Sequence, residues 1–369
     1  MSTRVVKFAT FVQAILLATH FFVYETWAIL RAAPDPPGIP WLAIALGVLS
    51  FTFLTASLLA WRYSNFAVRV YYTAASVWLG FFSYFFFASC LAWIVFGITR
   101  FLAPALPSSV ILYACLGAAL AAGGYGLINS ALVRVRRVPV SLPNLPESWK
   151  GRVAALVTDA HLGHIRGVGF AKLLVATLSR LRPDVVLIGG DLYDGTAADA
   201  RLLAEPLRKI TAPFGAFFIT GNHEEFRHRA QYIDAIQRAG VRVLNNEKVV
   251  LDGLQLVGVH DRDSAHPERF RAILRNAEID PEAPSILLTH EPSLLGIAAD
   301  EKIDLQLSGH THGGQFFPFT WFTSRIYGPF VYGLNRLGNL LVYTSYGAGT
   351  WGPPLRVGTN PEIVLFSFE

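Results

Sequence analysis

Charged residues are scarce: Asp, Glu, Lys and Arg make up 15% of the 369 residues, while hydrophobic residues make up 53%. Ordinary soluble domains carry about 25% charge, so this composition excludes a uniformly soluble chain. The deficit is uneven. Residues 1–145 hold nine Lys/Arg and two Asp/Glu, a net of +7, and residues 146–369 hold 22 and 24, a net of −2. The basic balance therefore belongs to the apolar half and fits membrane flanks. No basic stripe with interleaved aromatics appears in the polar half, which argues against a nucleic-acid partner. Cysteine is nearly absent. Cys90 and Cys115 lie inside apolar runs and offer neither zinc spacing nor a disulfide framework. Histidine, by contrast, is concentrated: one of ten, His20, lies in the apolar half and nine in the polar half.

A membrane-crossing helix needs about 20 mostly apolar residues. Four stretches meet this, at residues 8–30, 41–61, 70–98 and 109–133, with "APDPPGIP" and "LAPALPSS" as two of the breaks. The first run is too long and too polar, with Gln13, His20 and Glu25, for a cleaved signal peptide. Arg4 and Lys7 precede span one, Arg62 and Arg69 follow span two, and Arg134, Arg136 and Arg137 follow span four, against single arginines, Arg31 and Arg100, in the other two loops. The positive-inside rule then places both termini on the cytoplasmic side of an inner or plasma membrane. His20 and Glu25 raise the question of an ion pathway, but helix packing and a wet outer end account for them. The expected organisation is a multi-pass region over 1–134, a proline-bearing linker over 135–151 and a polar domain over 152–369.

The polar half repeats one grammar, an apolar run of strand length ending in small residues and then in a metal-competent side chain. "VAALVTDAH" ends in Asp159 and His161, and "DVVLIGGD" in Asp191. "GAFFITGNHE" ends in Asn222, His223 and Glu224, "SILLTHE" in His290, and "LQLSGHTH" in His310 and His312. Helical segments between the early runs imply βαβ units, and sites in such sheets form beyond the carboxyl ends of strands. Two carboxylates, an amide oxygen and four imidazoles, without thiolate, suit manganese, iron or zinc and exclude an iron–sulfur cluster. Seven ligands exceed the need of one open metal site and fit two metals sharing a carboxylate, an arrangement that clamps attacking and leaving oxygens in phosphoryl displacement.

Asp159-Ala-His161, Gly190-Asp191-Leu-Tyr-Asp194, Gly221-Asn222-His223-Glu224, Thr289-His290-Glu291 and Gly309-His310-Thr-His312, in this order, resemble the calcineurin-like metallophosphoesterases. The tail "GAGTWGPPLRVGTNPEIVLFSFE" also resembles the membrane-associated, YkuE-like branch. The resemblance implies a calcineurin-like α/β sandwich, with central sheets of βαβ-type strands flanked by helices, behind the four-helix region. It implies one divalent metal on Asp159, His161, Asp191 and His312, and a second on Asp191, Asn222, His290 and His310, with Asp191 bridging. Manganese is the foremost expectation, with zinc and iron also suited. A metal-bound hydroxide would attack phosphorus, and His223 would protonate the leaving group. Asp194 and Glu224 are expected to orient ligands, and His164 and Arg166 to meet substrate. His260 is expected to be structural, and His228 and His266 to lie at the surface.

The ligand set leaves phosphomonoesters, phosphodiesters and pyrophosphates open. The membrane half and the aromatic segment "FFPFTWFTSRIYGPFVYGL" at 316–334 favour a phosphodiester or pyrophosphate in a lipid-linked substrate. Within the family, UDP-diacylglucosamine is one such substrate. The same segment also reads as plain packing surface. A soluble phosphomonoester, a sensor domain regulating the membrane module, and a transporter built from the spans are the competing readings. No protein partner is indicated.

Overall fold

The computed structural model describes residues 3–33, 40–226 and 229–369. His228 and most of "APDPPGIP" lie outside the described residues. The chain forms two compact units, Met1–Ile128 with Gly352–Leu355, and Asn129–Trp351 with Arg356–Glu369.

In the first unit, α1 (Thr3–Leu30), α2 (Trp41–Arg62), α3 (Phe66–Leu102) and α4 (Ser108–Ser130) are long and apolar enough to cross a membrane. Asn65 begins α3 by accepting a hydrogen bond from the Val68 amide, 3.0 Å, as an N-cap does. His20 stacks on Phe82 at 3.5 Å between ring centroids and accepts from Trp78 Nε1 at 3.2 Å. Its polarity is thus absorbed by helix packing, and Glu25 is half-buried.

The second unit is built on two six-stranded sheets. Their strands are β1 (Arg134–Val140), β2 (Val153–Val157), β3 (Val185–Gly189), β4 (Ala216–Ile219), β5 (Arg242–Val243), β6 (Glu247–Leu251), β7 (Leu254–Gly258), β8 (Ser285–Leu288), β9 (Leu305–Ser308), β10 (Gly333–Leu337), β11 (Leu340–Thr344) and β12 (Glu362–Phe368). The sheet orders are β1-β12-β2-β3-β4-β5 and β10-β11-β9-β8-β7-β6. Period-two alternation decides which side chains go where. Leu156, Leu187, Phe217 and Ile219 pack inward against Leu256, Ile286, Leu288, Leu305 and Leu307 of the other sheet. Ala155, Val157, Val186 and Ile188 point outward and are covered by Phe170, Leu174 and Leu178 of the helix Val168–Leu181. Phe270 and Leu274 cover the far face of the second sheet. The result is a helix-covered sandwich whose central strands are buried on both faces, which explains their continuous apolar runs.

The segment expected as a linker differs. Residues 134–140 form the edge strand β1, parallel to β12 from Arg134↔Glu362 to Val140↔Phe368. Val138 and Val140 are buried, and Trp149 is fully buried against Phe214 and Phe368. Pro139 is tolerated because an edge strand has amides that need no ladder partner. The strand partner lies more than 200 residues away in sequence, where local proline content carries no information about it. The fourth helix accordingly ends at Ser130, short of the expected 133.

Candidate metal centre

Five strand ends deliver the polar residues. β2, β3 and β4 are parallel neighbours in the first sheet and β8 and β9 in the second, so their carboxyl ends open on one side of each sheet. His310 N donates to both oxygens of Asp159 at 3.1 Å, tying the two sheets together at the site. Asp159, His161, Asp191, His310 and His312 all have positive φ, from 46° to 68°. This left-handed conformation turns each chain sharply where the strand stops. Gly221 is required by close approach: a Cβ there would lie 2.2 Å from Asp191 Oδ1.

Two groups of donor atoms result. In the first, His161 Nε2 and His312 Nε2 are 3.0 Å apart, and His312 Nε2 is 3.5 Å from Asp159 Oδ1. In the second, His290 Nε2 is 3.1 Å from Asn222 Oδ1 and 3.2 Å from His310 Nδ1, and His310 Nδ1 is 3.0 Å from Asn222 Oδ1. Asp191 stands between them. Its Oδ1 accepts from His223 N at 2.9 Å, while Oδ2 lies 3.2 Å from His290 Nε2 and 3.8 Å from His161 Nε2. Metal-competent triads occur at Asp159–His161–His312 and Asp191–His290–His310.

The donor chemistry fits cations. His290 Nδ1 faces the Gly189 carbonyl at 2.9 Å and must donate there, which leaves Nε2 facing an amide oxygen and a carboxylate. Such a convergence of acceptors needs a positive charge at its centre. Burial disfavours a charged His290, yet Asp191 overrides it and raises the imidazole well above its ordinary value. Burial, and then its neighbour His223, keeps His161 well below the usual histidine range. Burial, and then Arg356, does the same for His312, so both rings are held as neutral ligands. Donor spacings near 3 Å also suit ions with bond lengths of about 2.1 Å to nitrogen and oxygen.

His223 Nδ1 donates to the Asp194 carbonyl at 2.8 Å, and its Nε2 lies 4.0 Å from Asp191 Oδ2. Asp194 accepts from Thr196 N at 2.8 Å and Thr196 Oγ1 at 2.5 Å in its own loop, and from His164 N at 3.3 Å in the loop after β2. Glu224 is fully buried and accepts from the amides of Asp191, Tyr193 and Gly221, at 2.9, 2.9 and 2.7 Å. Burial and the Asp191 charge push it up to about 8. His164 Nδ1 meets Thr196 Oγ1 at 2.8 Å, and Arg166 Nη2 donates to the Ser130 carbonyl at 2.6 Å while lying over Phe170. His260 is fully buried, with Nδ1 accepting from Thr220 N at 3.1 Å, a structural placement. His266 is exposed.

Sequence reasoning missed Arg356. It is fully buried, donates to the carbonyls of His312, Tyr346 and Gly349 at 2.9, 2.7 and 2.6 Å, and lies 2.9 Å from His312 Nδ1. Burial lowers its guanidinium to about 10. A lone arginine within the apolar tail was the available signal. Gln315, at the end of "SGHTHGGQ", was also passed over. It binds the main chain of Trp351, accepting from its N at 2.8 Å and donating to its O at 3.0 Å.

Residues 153–314 match the model of the calcineurin-like phosphoesterase family. A metallophosphoesterase of Campylobacter jejuni is 34% identical over 251 residues, covering 66% of each chain. A transmembrane protein with a metallophosphoesterase domain from Danio rerio is 33% identical over 257 residues, covering 65% of this chain and 58% of its own. The metallophosphoesterase YkuE of Bacillus subtilis is 29% identical over 274 residues, covering 69% of this chain and 92% of its own. The chain spans 62% to 66% of the length of the bacterial relatives from Campylobacter and Helicobacter pylori. With the ordered motifs and the two-sheet fold, these matches show that the domain spanning residues 153–314 belongs to the calcineurin-like metallophosphoesterases, with YkuE and transmembrane metallophosphoesterases among the chain's relatives.

Proposed function

We propose that the protein is a membrane-bound, metal-dependent phosphoesterase that cleaves a phosphodiester or pyrophosphate bond in a lipid-linked substrate. The observation that carries the hydrolase reading is Asp191 Oδ2, placed between two donor clusters with His223 Nε2 4.0 Å away. Asp159, His161, Asp191 and His312 would hold one divalent cation, and Asp191, Asn222, His290 and His310 the other, with manganese the first choice. Such a pair supplies Lewis-acid charge that acidifies water and neutralises phosphoryl oxygens. The chain's own residues do the rest. The Asp194 carbonyl fixes the Nδ1 proton of His223 and so turns Nε2 toward the cluster, where it can hand a proton to a departing oxygen. Glu224 locks the turns that carry Asp191 and Asn222 through its three amide bonds.

The lipid assignment rests on the helix Phe319–Tyr327, which directly follows the last ligands and buries none of its residues. Trp321, Phe322 and Ile326 are exposed there, an apolar face that suits acyl chains or a bilayer interface. The arginines that follow α4 support a catalytic domain on the cytoplasmic face. The test is hydrolysis by the full-length protein in mixed micelles with Mn²⁺, comparing UDP-diacylglucosamine with an aryl phosphodiester and using Asp191→Ala as blank. Lipid turnover that exceeds aryl turnover and vanishes in the variant is expected. Turnover of the aryl ester alone would discard this lipid and keep the phosphoesterase. Turnover that survives in Asp191→Ala would sink the hydrolase assignment itself.

A further inference from the structure

Trp351 is out of place by the ordinary logic of packing. Its indole is 61% exposed, yet its backbone N and O are both held by hydrogen bonds. Gln315 is buried and its amide holds that backbone twice, accepting from Trp351 N and donating to Trp351 O. Gln315 is itself fixed, since its carbonyl accepts from Thr359 Oγ1 at 2.7 Å and from Val357 N at 3.2 Å. The loop before Trp351 is tied down as well. Ala348 N donates to the Thr158 carbonyl and Gly349 N to the Asp159 carbonyl, at 2.9 and 2.8 Å. A buried amide and a run of backbone bonds therefore hold a large apolar ring at the surface, where it gains little from burial.

The ring has one neighbour of chemical interest. The Trp351 and His223 ring centroids are 6.3 Å apart, with the planes at 75°. Phe226 lies on the same imidazole at 5.0 Å and is 68% exposed. Two exposed aromatic rings thus flank the histidine whose Nε2 faces the donor clusters.

We infer that Trp351, with Phe226 on the same imidazole, forms the subsite for the leaving group, and that the leaving group it selects carries a ring close to its departing oxygen. This rests on the hydrolase reading above, in which His223 gives its proton to that group. A rigid flat surface favours a flat or cyclic partner, because the partner loses little conformational freedom on stacking. A flexible chain loses more. Gln315 acts as the positioning residue that presents the indole.

Methylphosphonate monoesters test this, because they contain one ester bond and so have an unambiguous leaving group. The full-length protein with Mn²⁺ is assayed on phenyl methylphosphonate and on hexafluoroisopropyl methylphosphonate, whose alcohols have similar acidity. The readout is the ratio of the two kcat/KM values. Aromatic pairing is worth about 0.5–1.5 kcal/mol, so the Trp351→Ala ratio should fall roughly twofold to tenfold, chiefly through KM for the phenyl ester. Trp351→Phe should restore most of the ratio, and Gln315→Ala should lower it in the same direction. A ratio unchanged in Trp351→Ala, with both esters slowed equally or neither slowed, overturns the subsite. A wild-type protein that cleaves neither ester while it still turns over UDP-diacylglucosamine in an Asp191-dependent way overturns the subsite alone, whereas one that cleaves neither ester nor that lipid, or an Asp191→Ala protein that cleaves both esters, overturns the hydrolase reading and the subsite with it.

Discussion

Replacing Arg356 by Met keeps most of the side-chain volume and removes every donor. The His312 carbonyl also accepts from Gln315 N and so keeps a partner. The Tyr346 and Gly349 carbonyls lose theirs in a site without exposure. Each orphaned buried acceptor costs about 1–3 kcal/mol. Removing a charge that is costly to bury offsets part of this. The expected net loss is about 2–4 kcal/mol of stability in the catalytic unit, weighing those two principles. The second effect is on the metals, because the guanidinium lies against His312 and the loop beneath it. Groups that orient ligands are worth about 10- to 100-fold in metal affinity. The assay is Mn²⁺ titration calorimetry on the full-length protein in detergent, with thermal unfolding followed in parallel. Arg356→Lys supplies a charge and three donors but no planar fork, and should fall between wild type and Arg356→Met. A Met variant that binds Mn²⁺ with wild-type affinity and melts at the wild-type temperature would refute the reasoning.

Two further outcomes are expected. His223→Asn should retain its metal content by elemental analysis while kcat falls about 10²- to 10⁴-fold for alkoxide leaving groups, and far less for nitrophenolate, which needs no proton. His260 is held neutral by burial, its value lowered from 6.5 to about 4. Its unfolded form binds a proton first as the medium is acidified, so its contribution is complete above pH 6.5 and is lost as pH falls toward 4. That loss is about 3 kcal/mol. His260→Asn keeps an acceptor for Thr220 N without the titration, so denaturant melts between pH 6.5 and 4 should show wild type losing about that much more than the variant. Equal losses would show that His260 is not held neutral.

The strand ends were legible because each carries its signal locally, an apolar run, small residues, then a donor. Asp159, His161, Asp191, Asn222, His290, His310 and His312 come together at distances that their order along the chain only hinted at. Helix Phe319–Tyr327 was legible as an aromatic segment cut by prolines. That it buries none of its residues was not, since the same aromatics suit a core as well as a surface. What escaped notice depends on partners remote in sequence. Residues 134–140 look like a linker until β12 is placed beside them, more than 220 residues on. Arg356 looks like a stray surface charge until the carbonyls of 346 and 349 close around it. Gln315 looks like the polar end of a histidine motif until Trp351 returns to meet it.

The left-handed turns at Asp159, His161, Asp191, His310 and His312 have a consequence for durability. Each non-glycine residue in that conformation costs about 1 kcal/mol or more. Five of them together store roughly 5 kcal/mol, comparable with the entire stability margin of many domains. Glycine would relieve every one of these positions, and none can accept it without losing a donor atom. The domain therefore sits below the stability its scaffold could reach, and selection for ruggedness alone would dismantle the centre. Hardening this protein for use outside the cell has to begin elsewhere, in the sheets and covering helices that bear the strain.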